Sequence, residues 1–109
     1  MKKKVFRYYK MQIIKVVKSD RKGKKYVAYI SDGKEIHFGS DLSTSFIEGA
    51  SEDKKDAYLK RHLANSVEKY RVDNLVMSPA LLSTYLLWGT PILNDNIKIL
   101  NGMLKKKIK

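Results

Sequence analysis

The hydrophobic period of this chain changes near its middle, and that change restricts the folds open to it more than any other feature. From residue 5 to residue 18 the side chains alternate. Val5, Arg7, Tyr9, Met11, Ile13, Lys15 and Val17 fall on one side, and Phe6, Tyr8, Lys10, Gln12, Ile14, Val16 and Lys18 on the other. Strict alternation marks a strand, and the odd-numbered set, being the more apolar, is expected to face the core. Ser19-Asp20-Arg21-Lys22-Gly23 reads as a turn in which Gly23 is free to take a positive φ. Lys24 to Ile30, rich in aromatic and β-branched residues, reads as the second strand. Asp32-Gly33 is a strong hairpin signal and leads into a third strand around Glu35-Ile36-His37-Phe38, ending at Gly39.

Beyond a connector rich in Ser, Thr, Gly and Asp at residues 40–51, pinned by Phe46 and Ile47, the spacing becomes helical. Ser51 is placed to cap a helix whose first turn holds Glu52, Asp53 and Asp56, acids that suit the positive end of the helix dipole. Its expected buried stripe is Leu59, His62 or Leu63, Ser66 or Val67, and Tyr70, leaving Lys54, Lys55, Lys60 and Arg61 on the outer face, with Asp56 and Lys60 at pairing distance in sequence. Ser78-Pro79 starts a second helix that runs to Trp88 and stops at Gly89. Thr90-Pro91 repeats the start signal for a third, with Ile92, Leu93, Ile97, Leu100, Met103 and Leu104 as its apolar set. The expected fold is therefore α+β: a three-stranded antiparallel meander followed by three helices packed on one face of the sheet. With 109 residues the chain fits one domain over 1–109, and the basic ends 1–4 and 105–109 are expected to be flexible tails.

Charge is distributed unevenly over this frame. The first 38 residues hold twelve Lys or Arg against three acids, residues 39–77 six against seven, and residues 78–109 five against one. A net charge of +12 concentrated on a folded hairpin costs self-repulsion and contributes little to folding, so it points to a polyanionic partner, most simply nucleic acid. The candidate contact surface is the tip of the first hairpin and its flanks, Lys15, Lys18, Arg21, Lys22, Lys24 and Lys25, with Arg7 and Lys10 further back and Lys105, Lys106 and Lys107 at the other end. Lysine-bearing strands also serve simply as protected sheet edges. Of the interleaved tyrosines, Tyr8 and Tyr26 are the foremost candidates for stacking on bases, although tyrosines at alternating positions are more often cross-strand packing pairs. Because lysine outnumbers arginine, phosphate contact with little reading of base sequence is expected.

Other chemistries find few residues to work with. There is no cysteine, hence no disulfide, thiolate or Cys-ligated zinc. His37 and His62 are the only histidines, and they read as hydrogen-bonded structural residues, so no metal, cofactor or catalytic set is expected. Neither a nucleophile elbow nor a Gly-rich phosphate loop is present. No apolar run reaches the roughly 18–20 residues of a membrane span, and Met1-Lys2-Lys3-Lys4-Val5-Phe6-Arg7 is not followed by the apolar stretch of a secretion signal.

Three segments carry a resemblance to a known family: Ile36-His37-Phe38-Gly39, the run from Asp53 to His62, and Leu81 to Leu93 with its Leu87-Trp88-Gly89-Thr90-Pro91-Ile92-Leu93 step. They resemble successive blocks of small basic proteins of unknown function encoded by large nucleocytoplasmic DNA viruses of algae and amoebae. Where relatives tend to carry an Asp-Tyr-Thr-like step and a further histidine, this chain has Ser45-Phe46-Ile47-Glu48-Gly49, which argues against a site built on that histidine. The resemblance implies a viral setting, in the virion or the virus factory of the infected cell. The expected function is binding of duplex DNA largely without sequence preference, as in genome packaging. The alternatives are a structural component of the virion, partnered by capsid or core proteins, and a binder of single-stranded nucleic acid or RNA.

Overall fold

The computed structural model describes residues 11–107. Three strands, β1 (Ile13–Lys18), β2 (Lys24–Ile30) and β3 (Glu35–Ser40), form one antiparallel sheet in the order β1-β2-β3. A short 3-10 turn at Phe46–Glu48 leads to four helices: α1 (Glu52–Leu63), α2 (Ser66–Asp73), α3 (Pro79–Leu82) and α4 (Leu93–Lys107). The α+β meander expected from the periodicity is what forms, with one helix more than expected.

Both hairpins fold on their glycines. The Ser19–Gly23 turn closes with the Lys24 amide donating to the Arg21 carbonyl at 3.1 Å, and Gly23 takes φ +83°. One face of the sheet carries Val16, Ala28 and Ile36 in register, then Tyr26 beside Phe38, and meets the helices. The other carries Lys15, Tyr29 and Glu35, then Val17, Val27 and His37.

The expected phase of β1 holds only at its start. Ile13 pairs with Ile30 but Lys15 with Tyr29, so the register shifts by one residue at Ile14, a β-bulge. The extra residue shifts the parity. Ile13 is buried, yet beyond the bulge the even-numbered Val16 faces the core, while Ile14 and Val17 are 64% and 42% exposed. The Asn101 side chain of α4 occupies the outer edge at this point, accepting from the Ile13 amide at 2.8 Å and donating to its carbonyl at 3.0 Å. Satisfying those groups removes one place where another strand could add.

The first helix breaks where a continuous one was expected. Asn65 caps a new helix, its Oδ1 accepting from the amides of Val67 and Glu68 at 3.0 and 3.1 Å. The stripe continued through Val67 and Tyr70 is accordingly not buried: they are exposed, and Val72 is the buried residue of α2. Asp56 and Lys60 do not pair among the described residues, and the ion pair spaced four apart is Lys69–Asp73. The helix begun by Ser78-Pro79 runs as α only to Leu82, then continues as a π-helix over Ser83–Leu87. That wider turn brings Leu81, Leu82, Leu86, Leu87 and Trp88 together into the core with Phe38, Ala28, Leu100 and Leu104. Helix α4 begins at Leu93, two residues later than Pro91 suggested, leaving Ile92 exposed. At its other end it carries Lys105, Lys106 and Lys107 as its last turn, so these residues are helical where a flexible tail was expected.

Candidate functional site

The β1–β2 turn is a fixed platform. Ser19 hydroxyl accepts from the Arg21 amide at 2.9 Å and is hydrogen-bonded to His37 Nδ1 at 2.6 Å, and the Ser19 amide donates to the Lys25 carbonyl at 3.1 Å. His37 therefore has a partner, as the sequence suggested, although it stands on the outer sheet face and supports the turn from there. On this platform Lys18, Arg21, Lys22 and Lys24 are exposed, and none makes an ion pair among the described residues. Asp20 and Asp41 are the acids near this end, and they too are without ion-pair partners among the described residues.

Lys25 does not belong with them. Its Nζ bonds Glu48 at 2.5 Å and the Ser43 carbonyl, and only 12% of the side chain is exposed. Glu48 also accepts from the Ser45 amide and hydroxyl, both at 2.9 Å. Burial opposes ionisation of Glu48, but the hydrogen bonds from Lys25 and Ser45 outweigh it and hold its carboxyl below the ordinary value. Lys25 thus ties the connector to β2. Lys55 is likewise engaged, donating to the Gly89 carbonyl at 2.7 Å with its ammonium 4.7 Å from the centre of the Phe46 ring, and so is not on an outer face.

From the turn the surface falls into a cleft of about 1000 Å³ between the β3 end of the sheet, the Leu42–Ser45 connector, α1, α2 and α3. Lys24 borders it, and Lys54, Arg61 and Arg71 project from its helical walls; Glu68 is the one carboxylate among its lining residues. The inner wall is a column of rings: Trp88 stacks on Tyr58 at 4.5 Å and 11°, and Tyr58 on His62 at 4.2 Å and 28°. His62 Nδ1 meets Glu68 at 2.9 Å. Expected in the core, this histidine sits at the cleft wall with its side chain 34% exposed. Burial raises the Tyr58 phenol above its ordinary value, opposed by its hydrogen bond with Ser83.

The remaining sequence candidates are spread elsewhere. Lys15 lies on the outer sheet face with its ammonium 5.1 Å from the Tyr29 ring centre. Lys105 and Lys106 belong to the turn of α4 after Asn101, which docks on Ile13 at the far end of β1, about 20 Å of extended strand from the hairpin turn. Tyr26 lies on the sheet face that meets the helices, partly buried, with its ring tilted against Phe38 at 6.1 Å. Burial and the charge of Glu48 both raise its phenol. Arg7, Tyr8 and Lys10 lie outside the described residues. Missing from the expected site were the guanidinium of Arg71 and the inward turn of Lys54 and Arg61. The spacing of Lys54, Tyr58 and Arg61 on one helix face was the available signal, but it does not say which way that face turns.

The three segments that carry the family resemblance meet at this cleft. Gly39 comes from the first, Lys54, Tyr58, Arg61 and His62 from the second, and Ser83, Leu87 and Trp88 from the third. No group of three or more His, Asp or Glu side chains that could hold a metal ion occurs among the described residues, and no helix among them is long and apolar enough to cross a membrane. The model of a family described as "Family of unknown function (DUF5754)" matches residues 14–62, a segment that takes in nearly all of the sheet, the connector and nearly all of α1. No curated protein and no solved structure matches the chain.

Proposed function

We propose that the protein binds duplex DNA through the phosphate backbone, with little preference for sequence, and that the β1–β2 turn is the contact. The observation that carries this reading is the set of four exposed cations, Lys18, Arg21, Lys22 and Lys24, on a turn braced by the hydrogen bonds of Ser19 with His37 and Arg21 and without ion pairs among the described residues. A positive knob of this kind straddles phosphates at small ordering cost, and point-charge lysines carry no base code. Packaging or condensing a viral genome is the setting that the family resemblance suggests.

Titration of a labelled random duplex of about 25 base pairs at several salt concentrations tests the reading. Four phosphate contacts give a log–log slope of about −3.6, roughly a hundredfold loss of affinity between 50 and 200 mM salt. The variant Arg21→Glu/Lys22→Glu is expected to abolish binding with the fold intact, because both side chains are exposed. Lys25 is left unchanged, since it holds Glu48. Absence of binding at the lowest salt, or unchanged affinity in the variant, overturns the proposal; self-association without DNA binding would instead favour a structural subunit.

A further inference from the structure

We infer that the cleft beside the turn is a second site, built for a single-stranded nucleic-acid segment such as a tail or frayed end leaving the bound duplex. The inference rests on the duplex reading above for its setting, but its evidence is the cleft itself. At about 1000 Å³ the space lies at the upper end of pockets that enclose one small ligand, which is room for a few nucleotides and too little for a double helix.

The charge of the cleft fits a phosphodiester chain. Lys24, Lys54, Arg61 and Arg71 border it without ion pairs among the described residues, against a single lining carboxylate, Glu68, which is hydrogen-bonded to His62. Two guanidinium groups add planar forks that match phosphate oxygens in pairs.

The ring column fits a base. Trp88 is buried at its inner end, and His62 stands at its outer end. Glu68 meets the imidazole at Nδ1, on the ring edge, Tyr58 stacks on one face, and 34% of the side chain is exposed, so the face turned away from Tyr58 is the one a base can reach. A base laid on that face extends a stack already in place, and every base has a face to offer, so the site discriminates strandedness more than sequence. Lys24 belongs to both the turn and the cleft rim, which gives a strand separating from a duplex on the turn a continuous cationic path inward.

The test compares one duplex in three forms: blunt, with a single-stranded DNA tail of about five nucleotides, and with an RNA tail of the same length. A tail of either sugar is expected to tighten binding by the wild-type protein about tenfold over the blunt form, the gain of one stacked base. Arg61→Gln/Arg71→Gln and, independently, His62→Ala should each remove most of that gain while leaving blunt-duplex affinity within a few-fold. Arg61 and Arg71 are exposed, so their replacement leaves the fold in place, and Lys54→Gln gives a third reading that does not touch the ring column. Equal affinity for blunt and tailed duplexes overturns the cleft site and leaves the duplex reading standing, as does a gain that survives all three variants. Binding of tailed but not blunt DNA, lost in the variants, sustains the cleft site and overturns duplex binding by the turn. Failure to bind any form overturns both.

Discussion

Replacing Asn96 with alanine removes the clip that closes the π-helix onto α4. The side chain is 2% exposed and all its polar valences are used. Its Oδ1 accepts from the Thr90 amide at 2.8 Å and the Thr90 hydroxyl at 2.7 Å, and its Nδ2 donates to the carbonyls of Leu86 at 3.0 Å and Thr90 at 2.9 Å. Four hydrogen bonds at a net value of about 1 kcal/mol each put the loss at about 3–4 kcal/mol. For a domain of this size that corresponds to a fall in Tm of about 12 °C or more. Trp88 is the single tryptophan and is 7% exposed, so its fluorescence through a urea titration reports the transition directly. The midpoint should fall with the m-value unchanged. Asn96→Asp keeps the acceptor, loses both donors and sets an anion against two carbonyl oxygens, so it should cost at least as much. A loss below about 1 kcal/mol in Asn96→Ala would refute the reasoning, because it would mean that the network adds no more than one ordinary hydrogen bond.

Two further predictions concern the anchor of Lys25 and the glycine of β3. Glu48 titrates below its ordinary 4.5 in the folded protein, so its contribution to stability is present above that value and is lost as pH falls through the lower, folded-state pKa. Glu48→Gln should flatten the pH dependence of the urea midpoint below about pH 5 relative to wild type, and parallel curves for the two proteins would contradict the ion pair with Lys25. Gly39 takes φ +81°, and a Cβ there would stand 2.8 Å from Leu87 Cδ1, whereas at Gly23, at φ +83°, it would meet nothing within 4 Å. Gly39→Ala is therefore expected to cost roughly 1–3 kcal/mol, more than Gly23→Ala, and equal losses in denaturant titrations would show that conformation alone matters at both positions.

Local chemistry made most of the architecture legible in the sequence. Period-two alternation, Gly23 and Asp32-Gly33 placed the meander, and Ser51 and Ser78-Pro79 marked two helix starts at the residues where the structure begins them, because a cap or a positive φ is a property of a few adjacent residues. The charge asymmetry was equally a property of the chain, and of the expected contact residues, Lys18, Arg21, Lys22 and Lys24 stand exposed at the turn whereas Lys25 does not. What depended on neighbours distant in sequence was not legible. The bulge at Ile14 exchanged the faces of β1, Asn65 divided a continuous periodic pattern by capping, and the π-helix at Ser83–Leu87 reset the residues that reach the core. The cleft is the clearest case. Lys24, Arg61 and Arg71 come from three separate elements, and whether a lysine is exposed without an ion pair among the described residues, like Lys22, or bound into the connector, like Lys25, turns on Glu48, 23 positions from Lys25. Sequence alone determined that this protein is a basic α+β meander; tertiary structure decided which cations remain available and where they meet aromatic rings, because electrostatic pairing and stacking act through space and have no period along the chain.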